Sequence, residues 1–378
     1  MSQIVDILIV GAGPAGTTLA RSLALKGLHP LLIERAILPR HKPCGGGIPA
    51  RTEALLGFSI EPVGGCRVTS IALDGAWTGR RIYGLDPSHG LTVVDRARFD
   101  EFLARKAVEA GAELRENCGA RRVTRLANGF FSVETTRGDT IEARRIAVCD
   151  GVFSPTGKAL GFPPNVTGFC LEGVMPMPGN ISSEARSRAI FNLAMARGGY
   201  AWSFPRNDGF AIGIGGPCSN GRFLKKRLRY FLARTPELRG HRLNKLFGGM
   251  IPDFAAPRKV YVDRGAWLVG DAAGLVDPLS GEGIYYAITS AIHATESILS
   301  NDEQLYGRRL AENLLPELAL AARVAARFRS KIPLLIGLAL SWPSFGDRAK
   351  RFVDLLTGQT SYRDLYAELR PQINKGGQ

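Results

Sequence analysis

The sequence predicts an α/β protein: a discontinuous, Rossmann-type domain built on a parallel sheet, an inserted antiparallel-sheet domain, and a helical C-terminal region. Three observations lead to this fold class. An apolar run at residues 4–10 leads into a glycine-rich turn and a helix-forming segment. A second apolar run, at residues 266–269, leads into a similar turn and helix, and strand-like segments lie between the two. Beyond residue 300, Leu, Ala and Arg recur at helical periods.

The composition is that of a folded globular protein with about two domains. The chain has 378 residues, of which 45% are hydrophobic and 22% are charged. Its six cysteines form no C-x-x-C pair, so we expect free thiols, a reducing compartment and no bound metal. No basic segment precedes the N-terminal strand, and the longest apolar run, Ile332–Trp342, is about half the length of a membrane span. We therefore expect a cytoplasmic protein.

The net charge of +15 predicts an anionic partner. Residues 222–245 hold nine basic residues and one acid. Apolar residues recur within this segment at helical spacing: Phe223, Leu224, Leu228, Phe231 and Leu232. Such a helix either lies peripherally on the inner face of a membrane or packs its apolar stripe on its own domain. The sequence contains no nucleic-acid-binding signature, so we expect no nucleic-acid partner.

The N-terminal turn reads Gly11-Ala12-Gly13-Pro14-Ala15-Gly16 and opens a helix-forming stretch. The first glycine allows a tight turn, the second lets the main chain approach a pyrophosphate, and the third permits close packing of helix on sheet. Glu34, followed by Arg35, ends the next strand, where its carboxylate can accept hydrogen bonds from ribose hydroxyls. Together these features predict a dinucleotide site that fits NAD and FAD equally.

The second turn, Gly270-Asp271, favours FAD. An aspartate at the carboxyl end of a parallel strand faces the ligand crevice of an open α/β sheet. Its carboxylate can accept hydrogen bonds from ribityl hydroxyls, which FAD has and NAD lacks. Gly281, Gly283 and Ile284 then open a helix whose N–H groups can meet the flavin edge that becomes negative on reduction. The alternative is a strand–turn–helix capped by an aspartate.

A third apolar run ends in Asp150-Gly151, which we expect at the same crevice. These three sites, in this order, resemble the FAD-dependent hydroxylase-like flavoproteins, whose FAD domain is interrupted by a strand-rich substrate domain. The resemblance implies three regions: an FAD domain of residues 1–60, 90–158 and 258–300, a substrate domain of residues 61–89 and 159–257, and a helical region of residues 301–378. Arg96, just before the helix predicted for residues 97–110, is assigned to the cofactor site.

Two further motifs narrow the family. Residues 42–47 read Lys-Pro-Cys-Gly-Gly-Gly, and residues 200–205 read Tyr-Ala-Trp-Ser-Phe-Pro. Together with the Gly281-Glu-Gly-Ile motif, they resemble the geranylgeranyl reductase family, FAD enzymes that saturate isoprenoid chains of lipids, chlorophyll or quinones. The site residues implied by the resemblance are Cys44 at the reactive edge of the flavin, Gly45, Gly46 and Gly47 against its ring, and Tyr200, Trp202 and Phe204 around the substrate.

An isolated alkene sets the chemical requirements of such a site. Reduced flavin delivers a hydride, and because the alkene has no carbonyl to accept negative charge, a proton donor must act on its other carbon. Cys44 is the first candidate, either as the donor or as the residue that orders the donating loop. Tyr200 is the second candidate, and His41 could assist. Alternatively, Cys44 is a small buried residue, and Tyr200 and Trp202 are two aromatics on one face of an ordinary strand.

Three functions fit these motifs. The first is an FAD-dependent reductase of isoprenoid C=C bonds, with NAD(P)H or a redox protein as the electron donor. The second is an FAD-dependent monooxygenase, including one that hydroxylates a side chain of a partner protein in cofactor maturation. The third is an electron-shuttling flavoprotein that docks its redox partner through residues 222–245. We rank the reductase first and the shuttle last, because a shuttle does not need the Cys-Gly-Gly-Gly loop.

Overall fold

The computed structural model describes residues 3–75, 79–165, 167–179, 181–196, 198–217, 221–254, 257–327 and 346–375. The apolar run Ile332–Trp342 lies outside the described residues. The strands are β1 (Gln3–Val10), β2 (Leu31–Ile33), β3 (Gly47–Pro49), β4 (Cys66–Val68), β5 (Ser70–Asp74), β6 (Arg80–Gly84), β7 (Leu91–Val93), β8 (Glu113–Arg115), β9 (Ala120–Arg125), β10 (Phe131–Thr135), β11 (Thr140–Val148), β12 (Thr167–Pro176), β13 (Arg188–Asn192), β14 (Tyr200–Arg206), β15 (Gly209–Pro217), β16 (Leu246–Pro252), β17 (Val262–Asp263) and β18 (Ala266–Leu268).

The helices are α1 (Pro14–Ala24), α2 (Ala50–Ala54), α3 (Arg96–Glu109), α4 (Pro155–Ala159), α5 (Ser183–Arg186), α6 (Gly221–Arg234), α7 (Ile284–Ser300), α8 (Glu303–Asn313), α9 (described over 315–327), α10 (Gly346–Leu356) and α11 (Tyr362–Lys375). The helices beyond residue 300 confirm the helical C-terminal region, whereas the short helices α2, α4 and α5 were not predicted. None of the helices in the described part of the chain is both long and apolar enough to cross a membrane.

The first sheet is the predicted parallel sheet. Its order is β17-β18-β11-β1-β2-β8, and β18, β11, β1, β2 and β8 run parallel. The hairpin of β9 and β10 joins β11 in antiparallel pairing. Ile7, Leu8 and Ile9 in the central β1 are fully buried, which explains why both faces of this strand are apolar. Helices α1, α3 and α7 pack beside one another against this sheet.

The carboxyl ends of four strands meet at one edge of the first sheet. Val10 of β1 pairs with Ile33 of β2 and with Val148 of β11, and Val148 pairs with Leu268 of β18. The turns that follow these strands therefore lie side by side. The sheet register thus brings together the four strand-end motifs that the sequence singled out.

The second sheet is the predicted antiparallel sheet. Its order is β16-β12-β15-β14-β13-β5-β6, and only the β13–β5 pair is parallel. One face packs against α6, and the other carries a second cluster that includes Trp202, Phe204 and Val353 of α10. The predicted residue limits of the FAD and substrate domains stay a prediction.

Helix α6 is the predicted basic helix, and it packs on its own domain. Leu224, Leu228 and Phe231 are buried against the second sheet. Phe223 is 45% exposed, so its assignment to the buried stripe is wrong, because the buried positions follow i, i+4 and i+7 from Leu224. The exposed face carries the basic side chains of Arg222, Lys225, Lys226, Arg229 and Arg234.

A small third sheet anchors the Cys-Gly-Gly-Gly segment. Its order is β3-β7-β4, and Gly47 and Cys66 both pair with Val93. The loop before β3 is fixed by a hydrogen bond of 2.9 Å from the Val94 N–H to the Gly46 carbonyl. The loop that carries Cys44 thus runs from the first domain toward the second sheet.

Candidate active site

The glycine-rich turn after β1 has the geometry of a phosphate site. Gly11 has φ +105°, and a Cβ there would lie 2.4 Å from the Cys149 carbonyl oxygen. A Cβ on Gly16 would lie 1.9 Å from the Gly11 carbonyl oxygen, so neither position tolerates a side chain. At Gly13, by contrast, the nearest atom is Nη2 of Arg40 at 3.9 Å. Helix α1 begins beside this opening with no side-chain cap, so its N-terminus can face a phosphate.

Glu34 is held rigidly at the end of β2. Its buried carboxylate accepts hydrogen bonds from the N–H groups of Ala12 at 2.8 Å and Ala36 at 3.1 Å. Arg40 pairs with Glu34 at 3.3 Å and with Asp100 at 3.1 Å. The guanidinium of Arg40 thereby lies beside the Gly13 opening, where a pyrophosphate charge would be balanced.

Sequence reasoning missed Arg40, which stands in no recognisable motif. The predicted neighbour of Glu34, Arg35, has an exposed side chain whose stem lies against Gly119. The structure therefore offers two arginines near the predicted dinucleotide site, one half-buried and one exposed.

The turns after β11 and β18 are tied together. Asn165 donates from its side-chain amide to the carbonyls of Val152 at 2.8 Å and Asp271 at 2.9 Å. The carboxylate of Asp271 lies next to Gly283, because a Cβ there would be 3.2 Å from Asp271 Oδ1. Asp271 therefore faces the start of α7, and its predicted contact with a ribityl hydroxyl stays a prediction. Asn165 has no signal in the sequence.

Asp150 is a half-buried acid at the same edge. Its Oδ2 accepts from the Thr156 N–H at 2.9 Å, and Oδ1 has no hydrogen-bond partner among the described residues. Burial raises the pKa of Asp150 above its ordinary value. Gly151 follows with φ +84°. An unpartnered buried oxygen at a ligand crevice suits a ligand hydroxyl.

The loop before α7 is held by hydrogen bonds that the sequence did not indicate. The Asp277 carboxylate accepts from the N–H groups of Leu279 at 2.7 Å and Ser280 at 3.0 Å, and from the Tyr362 hydroxyl at 2.8 Å. The helix begins at Ile284 and not at Gly281, where it was predicted, because Gly281 has φ +71° and its N–H bonds the Asp277 carbonyl.

A half-buried ion pair supports this loop. Glu282 pairs with Arg51 at 2.5 Å, and burial raises the pKa of Glu282 although Arg51 opposes the shift. Arg51 also lies over the Tyr285 ring, 4.3 Å from its centroid. Arg51, Glu282 and Tyr362 were not assigned from the sequence, since their contacts join distant segments.

The Cys-Gly-Gly-Gly loop lies against the second sheet. A Cβ on Gly45 would lie 2.7 Å from the Phe204 ring and 3.2 Å from Trp202 Nε1. Gly46 has φ +77°, and a Cβ there would lie 2.1 Å from the Val94 carbonyl oxygen. The observed need for glycine at these positions thus comes from protein contacts. The predicted contact of Gly45, Gly46 and Gly47 with the flavin ring stays a prediction.

The aromatic residues of β14 form a wall beside this loop. Tyr200, Trp202 and Phe204 alternate along one face, with ring centroids 5.8 Å and 6.4 Å apart. Phe191 of β13 extends the wall, 4.9 Å from Phe204. The indole of Trp202 lies over the neighbouring β15, because a Cβ on Gly213 would be 2.2 Å from Trp202 Cζ2. The structure therefore brings together Cys44, Gly45 and the predicted substrate residues.

Cys44 is half-buried between several polar groups. Its sulfur accepts from the Gly46 N–H at 3.4 Å, and the Arg96 guanidinium is directed at it. Arg96 is fixed by two hydrogen bonds to Asp100, at 2.9 Å and 3.0 Å. The predicted cofactor residue Arg96 thus lies against the predicted catalytic thiol.

Tyr200 and Cys170 complete the surroundings of Cys44. The Tyr200 hydroxyl donates to the Ser280 carbonyl, and burial raises the pKa of Tyr200. Burial, with Cys44 nearby, raises the pKa of Cys170 to about 12. Both groups therefore stay protonated near neutral pH.

These residues fit FAD. The open approach at Gly13, the uncapped start of α1, and the Glu34 and Asp271 carboxylates lie along one sheet edge, as a pyrophosphate, a ribose and a ribityl chain require. Within the described ranges, no cluster of three or more His, Cys, Asp or Glu side chains is placed to bind a metal ion.

Comparisons with known proteins identify the family. A family model described as an FAD binding domain matches residues 4–178. Digeranylgeranylglycerophospholipid reductase of Thermoplasma acidophilum is 30% identical over 349 residues, covering 82% of this chain and 83% of the relative. The chain belongs to the geranylgeranyl reductase family. It is an FAD-dependent oxidoreductase, as the motifs predicted.

Two further proteins are similar to this chain. Menaquinone reductase of Mycobacterium tuberculosis is 28% identical over 347 residues, covering 85% of this chain and 83% of the relative. The crystal structure of a geranylgeranyl bacteriochlorophyll reductase-like protein from Thermoplasma acidophilum superposes with a TM-score of 0.81 at 24% identity, covering 98% of this chain and 100% of that one. This structural likeness confirms the predicted fold class.

Proposed function

We propose that this enzyme saturates isolated C=C bonds in the isoprenoid chain of a lipid or quinone. The supporting observation is that the aromatic wall of β14 meets the Cys44–Gly45 loop, with Gly45 in contact with Phe204. The relatives named as reductases of a digeranylgeranyl lipid and of menaquinone support a long isoprenoid substrate. We further propose that the electron donor is NAD(P)H or a redox protein.

Bound FAD, once reduced, supplies the hydride. The protein supplies an apolar surface for the alkene and the proton that the reaction consumes. Trp202 and Phe204 are buried apolar surfaces that exclude water from an alkene. Cys44 supplies the proton, and the thiolate it leaves is stabilised by Arg96 and the Gly46 N–H.

Tyr200 is the weaker candidate for proton donation. Its hydroxyl proton is directed at the Ser280 carbonyl, and burial raises its pKa. A proton donor transfers its proton less readily when its pKa is raised and when that proton is already engaged in a hydrogen bond. We therefore propose that Tyr200 positions the loop before α7 and that Cys44 is the donor.

We also propose that the enzyme takes its substrate from the inner face of a membrane through the exposed face of α6. Arg222, Lys226 and Arg229 are exposed there beside Phe223 and Tyr230. Cations with exposed aromatic residues suit an anionic lipid surface. Helix α6 thus packs on its own domain and still presents a basic face.

Anaerobic turnover of a defined lipid tests the function. Dithionite-reduced enzyme is mixed with a geranylgeranyl-bearing glycerophospholipid in detergent, and the masses of the products are measured by mass spectrometry. We expect the lipid to gain two hydrogens per bond reduced. If the lipid gained no hydrogen under anaerobic conditions and gained one oxygen atom in air, the enzyme would be a monooxygenase instead. Rapid, salt-sensitive electron exchange with a redox protein and no lipid turnover would show an electron shuttle.

A further inference from the structure

The geometry points to a proton relay behind Cys44: we propose that Glu172 returns a proton to the Cys44 thiolate and that His41 recharges Glu172 from solvent. This inference rests on the proposed function, since it supplies the proton that alkene saturation consumes. Glu172 and His41 act through Cys44 and do not touch the substrate.

Glu172 is a buried acid directed at the Cys44 loop. It lies on β12, is 2% exposed, and shares its strand face with Cys170. Its carboxyl group faces the main-chain N–H of Cys44, which holds down the pKa of this acid. Its Oε2 atom is buried and has no hydrogen-bond partner among the described residues. A buried carboxylate oxygen without a donor is costly unless it carries a proton, so this site favours the acid form.

His41 connects Glu172 to solvent. Its Nε2 atom lies 3.8 Å from Glu172 Oε2, and its side chain is 44% exposed. The ring stacks on Phe247, with centroids 3.9 Å apart, and Phe247 pairs with Glu172 across the sheet. Phe247 therefore holds one edge of the imidazole toward the buried acid while the remainder of the ring reaches water.

The charged and titratable groups around the pair come from several elements. Arg206 of β14, Asp95 at the start of α3 and Lys245 before β16 face the pair. The thiol of Cys170 faces both Glu172 and Cys44. Burial raises the pKa of Glu172 to about 7, with the Cys44 N–H and Arg206 opposing the shift and Asp95 supporting it. Burial lowers the pKa of His41, which Arg206 and Lys245 reinforce and Asp95 opposes. The lowered pKa makes protonated His41 a stronger acid than Glu172, so protonated His41 can donate its proton to the Glu172 carboxylate.

The relay balances protons and moves no electrons. The S–H bond of Cys44 breaks and leaves its electron pair on sulfur, while the π pair of the alkene forms a C–H bond to the proton at one carbon. The other carbon receives a hydride with its own electron pair. The O–H bond of Glu172 then breaks as the S–H bond re-forms. The N–H bond of protonated His41 breaks to restore Glu172, and solvent returns a proton to His41.

Alkylation of Cys44 tests the relay without turnover. FAD-loaded enzyme is treated with iodoacetamide across a pH series, and the Cys44 peptide is quantified by mass spectrometry. We expect the alkylation rate to rise through an inflection near pH 7, the pKa of Glu172, since the Glu172 carboxylate accepts the thiol proton. Glu172→Gln should remove that inflection. The control Glu134→Gln, on exposed β10 surface, should keep it.

The pH profile of lipid reduction provides the second readout. Wild-type turnover should fall as the pH rises through about 7, and Glu172→Gln should be slower by about tenfold or more and insensitive to pH in this range. An unchanged alkylation or turnover profile in Glu172→Gln would overturn the relay while leaving the reductase function standing. If the wild type reduces no lipid, the proposed function fails, and the alkylation profile alone decides the relay.

A second variant tests the relay independently, in case Glu172→Gln does not fold. His41→Ala should slow turnover, and added imidazole should restore it, because the His41 side chain is accessible to solvent. A merely structural role would not be rescued by a free base. Wild-type turnover in His41→Ala, or a loss that imidazole does not restore, would exclude His41 from the relay.

Discussion

The Tyr200 hydroxyl donates a hydrogen bond to the main-chain carbonyl of Ser280, so the second sheet is tied to the loop that precedes α7. This loop is itself fixed by the Asp277 carboxylate, which accepts from the N–H groups of Leu279 and Ser280. One hydrogen bond thus couples the aromatic wall to the predicted flavin loop.

Tyr200→Phe tests whether this bond positions or catalyses. The ring remains and the Ser280 carbonyl loses its donor, so we expect the free energy of unfolding to fall by about 1–2 kcal/mol. Lipid reduction should slow by less than about tenfold, because the Cys44 proton is retained. Urea unfolding and anaerobic product assays measure both effects. A loss of more than about a hundredfold with FAD still bound would make Tyr200 the donor.

Cys44→Ala removes the proposed proton donor. FAD should stay bound, because the proposed dinucleotide contacts of Gly13 and Glu34 lie elsewhere on the sheet edge, and alkene reduction should slow by about a hundredfold or more. Flavin absorbance and single-turnover product formation measure the two effects. Cys66→Ala, a thiol at the start of β4, is the matched control. Unchanged turnover in Cys44→Ala would remove this thiol from the mechanism.

Gly45→Ala should damage the site more than Gly47→Ala. A Cβ on Gly45 would lie 2.7 Å from the Phe204 ring, which has little room to move in its buried wall. A Cβ on Gly47 would meet only methyl groups of Leu91, at 3.3 Å, and carbons of Phe204, at 3.8 Å. We expect Gly45→Ala to lose stability by about 1–3 kcal/mol and to lose most turnover. Equal melting temperatures for the two variants would contradict this account.

Asp271→Ala should weaken FAD binding. Its carboxylate lies beside Gly283 at the start of α7, where we propose that it accepts from a ribityl hydroxyl. Loss of a charged hydrogen bond of about 1.5–3 kcal/mol corresponds to a rise in the FAD dissociation constant of about tenfold to a hundredfold. Fluorescence titration of the apoprotein measures this constant. Asp6→Ala, whose side chain is 70% exposed, should leave it unchanged.

Burial of Glu172 should also appear in the pH dependence of stability. The folded-state pKa of about 7 lies above the ordinary value of 4.5, so the folded protein binds more protons than the unfolded chain between these values. The unfolding free energy of the wild type should therefore fall as pH rises from 4.5 to 7, by about 3 kcal/mol relative to Glu172→Gln. Urea unfolding of both proteins at pH 4.5 and 8 measures the difference, and a constant difference would show that Glu172 titrates normally.

Some parts of the fold and the site are predictable from the residues alone. The local backbone requires glycine at positions 11 and 16, because a side chain there would collide with main-chain atoms. The acid at position 34 is likewise recognisable, and its carboxylate accepts a main-chain hydrogen bond. The basic helix is recognisable from the helical spacing of its apolar residues, but the surface against which it packs is not. Only burial against the second sheet decided between the domain and membrane interpretations of its apolar stripe.

The sequence by itself determined the order of strand ends, the FAD domain and the family, because those features depend on short segments whose geometry their own residues impose. Only the tertiary structure placed Arg40 beside Gly13, Asn165 between two turns, and Glu172 against the Cys44 loop. The reason is physical: a lone polar residue on a strand shows no pattern, and its partner is chosen by the packing of segments far apart in the chain.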